Sequence, residues 1–293
     1  MTTILAGCGG GYDIFGCIPL FYQLKINKIL TNLSFTTLDL LEKLSDETHI
    51  IKLLKGFYLI PPGTYADSCY YFPEYELANK LNHHVYIIHN TNTISDILEC
   101  YKLLIKNNNI YDIFLIDGGC DVFLSGNEKG LATPVEDMMH MKAIQLLKHD
   151  IKKYVCAIGM NADCGHGVIE SELLLRLSFL EKNNILISKQ IWSLDNEMVK
   201  KYYDIMSTCK IKNTIVHSFI LLSLNNNYGF ITPKHLIHKI KNNSVNISEL
   251  TKTFIKLDLN KLVKTIHYFD RLEIYMTPEQ VDNMIEEYVL ELT

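Results

Sequence analysis

Residues 3–13 read TILAGCGGGYD. A short apolar run from Thr3 to Ala6 that stops abruptly at glycines is the pattern of a buried parallel strand reaching its loop. The apolar positions beyond it, Ile14, Ile18, Phe21 and Leu24, fall three or four apart, which predicts a helix whose regular part Pro19 delays or kinks. The same grammar recurs twice: IFLIDGGCD at residues 113–121 and YVCAIGMNADCGHG at residues 154–167. Further strands are expected at Lys28–Leu33, Phe57–Ile60 and Val85–Ile88. Helices are expected at Thr93–Lys106, at Val168–Glu181 and, more briefly, at Glu74–Leu81. Strands alternating with helices predict an α/β, Rossmann-like fold, a mostly parallel sheet with helices on both faces.

Thr133-Pro134-Val135-Glu136 predicts the start of another helix, with a capping hydroxyl, proline at the first helical position and a reciprocating acid three residues on. From Asp195 onward the chain reads as mostly helical, with turns at Asn225–Asn227 and Asn242–Asn243. No linker or repeat divides the sequence. The organisation expected is one α/β domain over residues 1–293, with residues 195–293 as a helical C-terminal extension that covers the sheet edge or mediates self-association, so a homo-oligomer is one expected state.

Composition limits the function. With 48% apolar and 21% charged residues over 293 positions, the chain has the balance of an ordinary globular protein. The net charge of −5 is spread without a basic run, which argues against a nucleic-acid partner. Eight cysteines without a C-x-x-C pair read as reduced core thiols rather than a disulfide or zinc framework, and so as a cytoplasmic chain. Met1–Ala6 is too short and lacks the basic leader of a signal peptide, and the longest apolar stretch, Ile215–Leu224, falls short of the ~20 residues that span a membrane. Secretion and membrane insertion are not expected.

In an open parallel sheet, ligands bind beyond the carboxyl ends of the strands, so the chemistry should sit in the three glycine-rich loops. Gly9, Gly10, Gly11 and Asp13 form the first. Consecutive glycines let backbone amides face an anion, and the reading is a phosphate-contacting loop or, more plainly, a tight turn. The G-x-G-x-x-G frame fails at Tyr12 and no G-K-[ST] follows, so neither a dinucleotide fingerprint nor a P-loop is present. In the second loop, Asp117, Gly118, Gly119 and Asp121 can ligate Mg2+, hold a ribose hydroxyl, supply a general base, or only close the turn. Glu128 and Thr133 belong to the polar segment that follows. Glu136 is expected to be spent in the cap, whereas Asp137 has no structural task and stands near a helix start. The third loop offers Asn161, Asp163 and His166, with Glu170 opening the next helix; His166 can act as acid or base. Cys164 next to His166 is a weak nucleophile candidate. Met138, Met139, His140 and Met141 read as core. His83, His84, His89, His217, His235, His238 and His267 show no ligand spacing, and Pro61–Tyr65 reads as a plain turn.

The combination GGGYD, DGGCDVFLSGNEKGLATPVEDM and NADCGHGVIESELL resembles a family known only as a domain of unknown function, over roughly the first 180 residues. The match lies at Asp117, Gly118, Gly119, Asp121, Gly126, Glu128, Thr133, Pro134 and Asp137, with Cys120 and the GHG at Gly165–Gly167 as departures. The resemblance implies a Rossmann-like fold and no reaction. On the residues alone, the expected function is a hydrolase or group transferase acting on a phosphorylated or nucleotide-like, anionic small molecule. Asp117 and Asp121 would hold a divalent cation, with Asp137 and His166 beside them in the chemistry. The alternative is a noncatalytic nucleotide-binding or sensing module.

Overall fold

The computed structural model describes residues 1–64, 70–148, 150–209, 214–231, 236 and 245–292. Among these residues, eleven strands run in chain order: β1 (Thr2–Gly7), β2 (Asn27–Ser34), β3 (Ile51–Leu54), β4 (Phe57–Ile60), β5 (Val85–His89), β6 (Ile110–Asp117), β7 (Lys152–Ala157), β8 (Leu186–Ile191), β9 (Gly229–Ile231), β10 (Val245–Ile247) and β11 (Thr253–Asp258). The helices are α1 (Ile18–Gln23), α2 (Leu38–Glu47), α3 (Pro73–Leu81), α4 (Ile94–Asn107), α5 (Val135–Gln145), α6 (Glu170–Lys182), α7 (Glu197–Thr208), α8 (Ile215–Leu224), α9 (Leu259–Leu262) and α10 (Pro278–Glu291). All strands except β9 and β10 join one nine-stranded sheet in the order β3-β4-β5-β2-β1-β6-β7-β11-β8.

The five central strands are mutually parallel, and numbered among themselves in chain order they lie 3-2-1-4-5. That is a doubly wound sheet, and β1 and β6 are the neighbours from which the chain winds outward in opposite directions. Their ends are level: Gly7 pairs with Ile116, and Asp117 with Ala157 on β7. Strand side chains alternate between faces. Ile113 and Leu115 join the core on one face with α4, α5 and α10, while Phe114 and Ile116 join the core on the other with α1, α3 and α7. The near-continuous apolar run of β6 follows from burial on both sides.

Among its described residues the C-terminal third holds α7 to α10 and three strands: β9 and β10 pair with each other, and β11 lies antiparallel between β7 and β8. Three apolar residues among six, Phe254, Ile255 and Leu257, are too few to tell a strand from a helical fragment by periodicity, so TFIKLD carried no signal of its own. The expected turn at Asn242–Asn243 lies outside the described residues, as do Tyr65, Cys69, His235 and His238. The helix entry at Thr133 needs correcting. α5 begins at Val135 with Pro134 as its N-cap and no side-chain capping bond. The N–H of Thr133 goes instead to the carboxylate of Asp121, 3.1 Å away, which leaves Glu136 without a capping partner. Among the described residues, no helix is long and apolar enough to cross a membrane.

Candidate functional site: a carboxylate well at the sheet switch point

The loops after β1, β6 and β7 meet, together with the first turn of α5. Asp13 opens the short 3-10 turn after β1, Asp117 ends β6, Asp121 starts the 3-10 turn beyond it, and Asp163 lies in the 3-10 turn Met160–His166 after β7. Asp137 is the third residue of α5. All five line one cavity of about 220 Å³, with Gly9, Gly118, Thr133, Ala162, His166, Ile215 and Val216. Asp13 is partly exposed, while Asp117, Asp121, Asp137 and Asp163 are 3%, 6%, 1% and 9% exposed, so four of the five charges would be cut off from bulk water.

The glycines are needed because the carboxylates press on them. A Cβ at Gly9 would stand 2.5 Å from Oδ2 of Asp13 and 3.0 Å from Oδ2 of Asp137; one at Gly118 would stand 2.5 Å from Oδ1 of Asp13. Backbone amides hold the acids in place. Cys120 N–H donates to Oδ2 of Asp163 at 2.6 Å, Val122 N–H to Oδ1 of Asp121 at 3.0 Å, and Gly118 N–H to Asp13. In the loop after β6, the amides of Gly118, Cys120 and Val122 are taken up by the protein's own carboxylates.

No lysine or arginine lines the well among the described residues. Burial, then repulsion from the neighbouring aspartates, pushes the carboxyls of Asp13, Asp117 and Asp137 well above the usual range. For Asp163 burial and then Asp121 raise it to about 8. Burial raises Asp121 as well, opposed by the amide of Thr133 and by a hydrogen bond from Asp117, a carboxyl-to-carboxyl contact that exists only while one partner keeps its proton. Oδ2 of Asp117 and Oδ1 of Asp137 are buried without a hydrogen-bond partner among the described residues. One carboxylate oxygen from each of Asp117, Asp121 and Asp137 falls within 4.8 Å of the others, the spacing of a cation's ligand shell. An all-carboxylate donor set suits a hard divalent ion such as Mg2+ or Mn2+, and the orphaned oxygens fit it.

The remaining sequence candidates lie outside this well. Gly10 and Gly11, both at positive φ, face Phe35 and Tyr71. Glu128 closes its own loop, accepting from the Ser125 amide and hydroxyl at 3.0 Å and the Gly126 amide at 2.9 Å, and it borders a different cavity. Gly119 packs on Asp163 from behind. Asn161 donates to the carbonyl of Asn246 on β10, and Asn246 in turn reaches Glu170 at 3.3 Å, so both brace the turn that carries Asp163 and His166. Burial beside Glu170 and Asp163 raises the Cys164 thiol to about 12, which leaves it protonated and a poor nucleophile.

Several contributors gave no sequence signal. Ile215 and Val216 of α8 wall the well from the last third of the chain. His217 is fully buried, and burial lowers it to about 4, so its ring is neutral. Its Nε2 donates to the Tyr12 carbonyl at 2.8 Å, which leaves Nδ1 to accept from Tyr202 Oη at 2.6 Å. Behind the first loop, Asn32 Nδ2 donates to the Gly11 carbonyl at 2.9 Å and to Glu74 Oε1 at 2.7 Å; burial holds Glu74 at about 7.

Residues 51–290 match the protein family described as "Protein of unknown function (DUF1152)". The chain belongs to that family. The match extends further toward the C-terminus than the sequence motifs indicated and begins after the GGGYD loop, so Asp13 stands outside it while Asp117, Asp121, Asp137 and Asp163 stand within. No curated protein and no solved structure matches the chain.

Proposed function

We propose that the protein is a divalent-cation-dependent enzyme, a hydrolase or group transferase acting on a small phosphorylated or nucleotide-like molecule. The observation that carries this reading is the convergence of Asp117, Asp121 and Asp137, buried, within ligand distance of one another and with two oxygens unpartnered. Leaving ionised carboxylates together in such a place costs several kcal/mol each. A divalent ion offsets that cost and takes the place of the protons the acids otherwise retain. Bound there, it supplies Lewis-acid polarisation of a phosphoryl oxygen and activation of water.

The protein's own residues divide the remaining work. Asp121, tied to two backbone amides, is fixed in position, while Asp117 and Asp137 bring the free oxygens. α5 points its N-terminal end at the well, and its partial positive charge favours the Asp137 carboxylate. Asp163 and His166 line the same cavity and are the groups that can take or give a proton as the bond to the leaving group breaks. Because five carboxylates and no lysine or arginine line the well among the described residues, a phosphorylated substrate enters together with the cation and not before it.

The test is calorimetric titration of the chelator-treated protein with Mn2+ and Mg2+, followed by a hydrolysis screen over phosphate esters and nucleotides. Cation binding that Asp137→Asn abolishes, with cation-dependent turnover, supports the reading. Binding without turnover across the screen would favour a sensing module.

A further inference from the structure

A second and larger cavity, about 850 Å³, opens beside the carboxylate well and shares Gly9 and Thr133 with it. It runs between the start of α5 and α10. Leu131, Val135 and Ile285 form a buried apolar floor, and Phe35 and Leu290 are 41% and 71% exposed beside it, so the cleft offers an organic group apolar surface to cover. Its charge is one-sided. Glu136, Glu279, Asp282 and Glu286 line it against a single base, Lys129, and none of the four acids forms an ion pair among the described residues. On α10 the acids recur at Glu279, Asp282 and Glu286, three and four residues apart, which sets them along one side of the helix.

Resting on the proposed function of the well, we infer that this cleft holds the organic body of the substrate, and that it selects an apolar chain or ring carrying a protonated amine. The occupant reaches the carboxylate well past Gly9 and Thr133 and leaves its nitrogen among the acids of α10. Apolar contact with the floor supplies most of the affinity, and the unpaired acids supply the sign. The same acids repel additional phosphates, so a nucleoside di- or triphosphate is disfavoured here even though its base would fit the volume. The cleft thereby narrows the substrate class from phosphorylated molecules in general to esters of a basic, apolar alcohol.

The experiment is kept independent of the cation. Protein in excess chelator is titrated with 4-phenylbutylamine, with its neutral counterpart 4-phenylbutanol and with 4-phenylbutyrate, at low and at high salt. The amine is expected to bind at least tenfold more tightly than the alcohol, with the carboxylate weakest and the difference shrinking as salt rises. In the variant Glu279→Gln/Asp282→Asn/Glu286→Gln, whose three side chains are exposed on α10, the amine and the alcohol should bind alike while thermal unfolding stays cooperative. Equal binding of amine and alcohol to the unaltered protein would overturn the inference. So would an amine preference that survives in the triple variant, because it would place the nitrogen away from the acids of α10, at Glu136 or in the carboxylate well. Neither result depends on whether Mn2+ binds, which is measured separately.

Discussion

Oδ2 of Asp121 accepts the backbone N–H of Thr133 across 3.1 Å. That bond joins the loop after β6 to the entry of α5 and brings Asp137, four residues further along, against Asp117. Asp121→Asn leaves one acceptor oxygen for two backbone donors, the amides of Val122 and Thr133, and an unmet buried donor costs about 1–3 kcal/mol. The variant is expected to bind Mn2+ at least tenfold more weakly, read by calorimetry. Affinity equal to that of the unaltered protein would remove Asp121 from the ligand set.

Asp137→Asn should separate stability from binding. The folded carboxyl lies well above its unfolded value, so its contribution to stability is full at low pH and is lost as pH rises. The neutral isostere escapes that loss. Without cation, the variant should match the original protein near pH 4 and exceed it at pH 8 by at least about 1 kcal/mol, roughly 2–4 °C in melting temperature. It should at the same time lose cation binding.

Glu74 provides a pH test away from the well. Burial raises it from 4.5 to about 7. Its stabilising contribution is complete below about pH 4.5 and disappears as pH climbs through 7, a change on the order of 3 kcal/mol. Glu74→Gln is expected to flatten the fall in stability between pH 5 and 8, measured by urea denaturation. An unchanged pH slope would show that Glu74 is not the responsible group.

The sequence made part of this legible. Strands that stop at glycines located the carboxyl ends of β1, β6 and β7, because burial on both faces leaves unbroken apolar runs; Asp117 ends β6, and the loops that follow carry Asp13, Asp121 and Asp163. One role of the glycines was not legible: at Gly9 and Gly118 a Cβ would collide with the carboxylates of the well. A direct comparison explains the misplaced cap. TPEQ at residues 277–280 forms a reciprocal capping box at the start of α10, whereas TPVE at 133–136 has the same pattern and forms none, because Asp121 claims the Thr133 amide from twelve residues upstream. Long-range competition of that kind leaves no local trace. Nor does the wall built by Ile215 and Val216, which reads as an ordinary apolar helix start.

Gly118→Ala tests the packing of the loop. The added methyl would stand 2.5 Å from Oδ1 of Asp13 and must displace that carboxylate or the loop. A loss of about 1–3 kcal/mol in stability is expected, as for other overpacked sites, together with weaker Mn2+ binding. Unaltered melting and titration curves would mean that Asp13 is free to move aside and does not shape the well.

On the proposed reading, the buried aspartates hold a divalent cation. Calorimetric titration of chelator-treated protein with Mn2+ at pH 8, repeated in buffers of different ionisation enthalpy so that proton release is counted, tests this. Saturable binding is predicted, with protons released as the ion displaces them from the carboxyls, and with binding lost when Asp117, Asp121 and Asp137 are all changed to asparagine. Folded protein that takes up no Mn2+, or takes it up equally after those three changes, would mean that these aspartates are not a cation site.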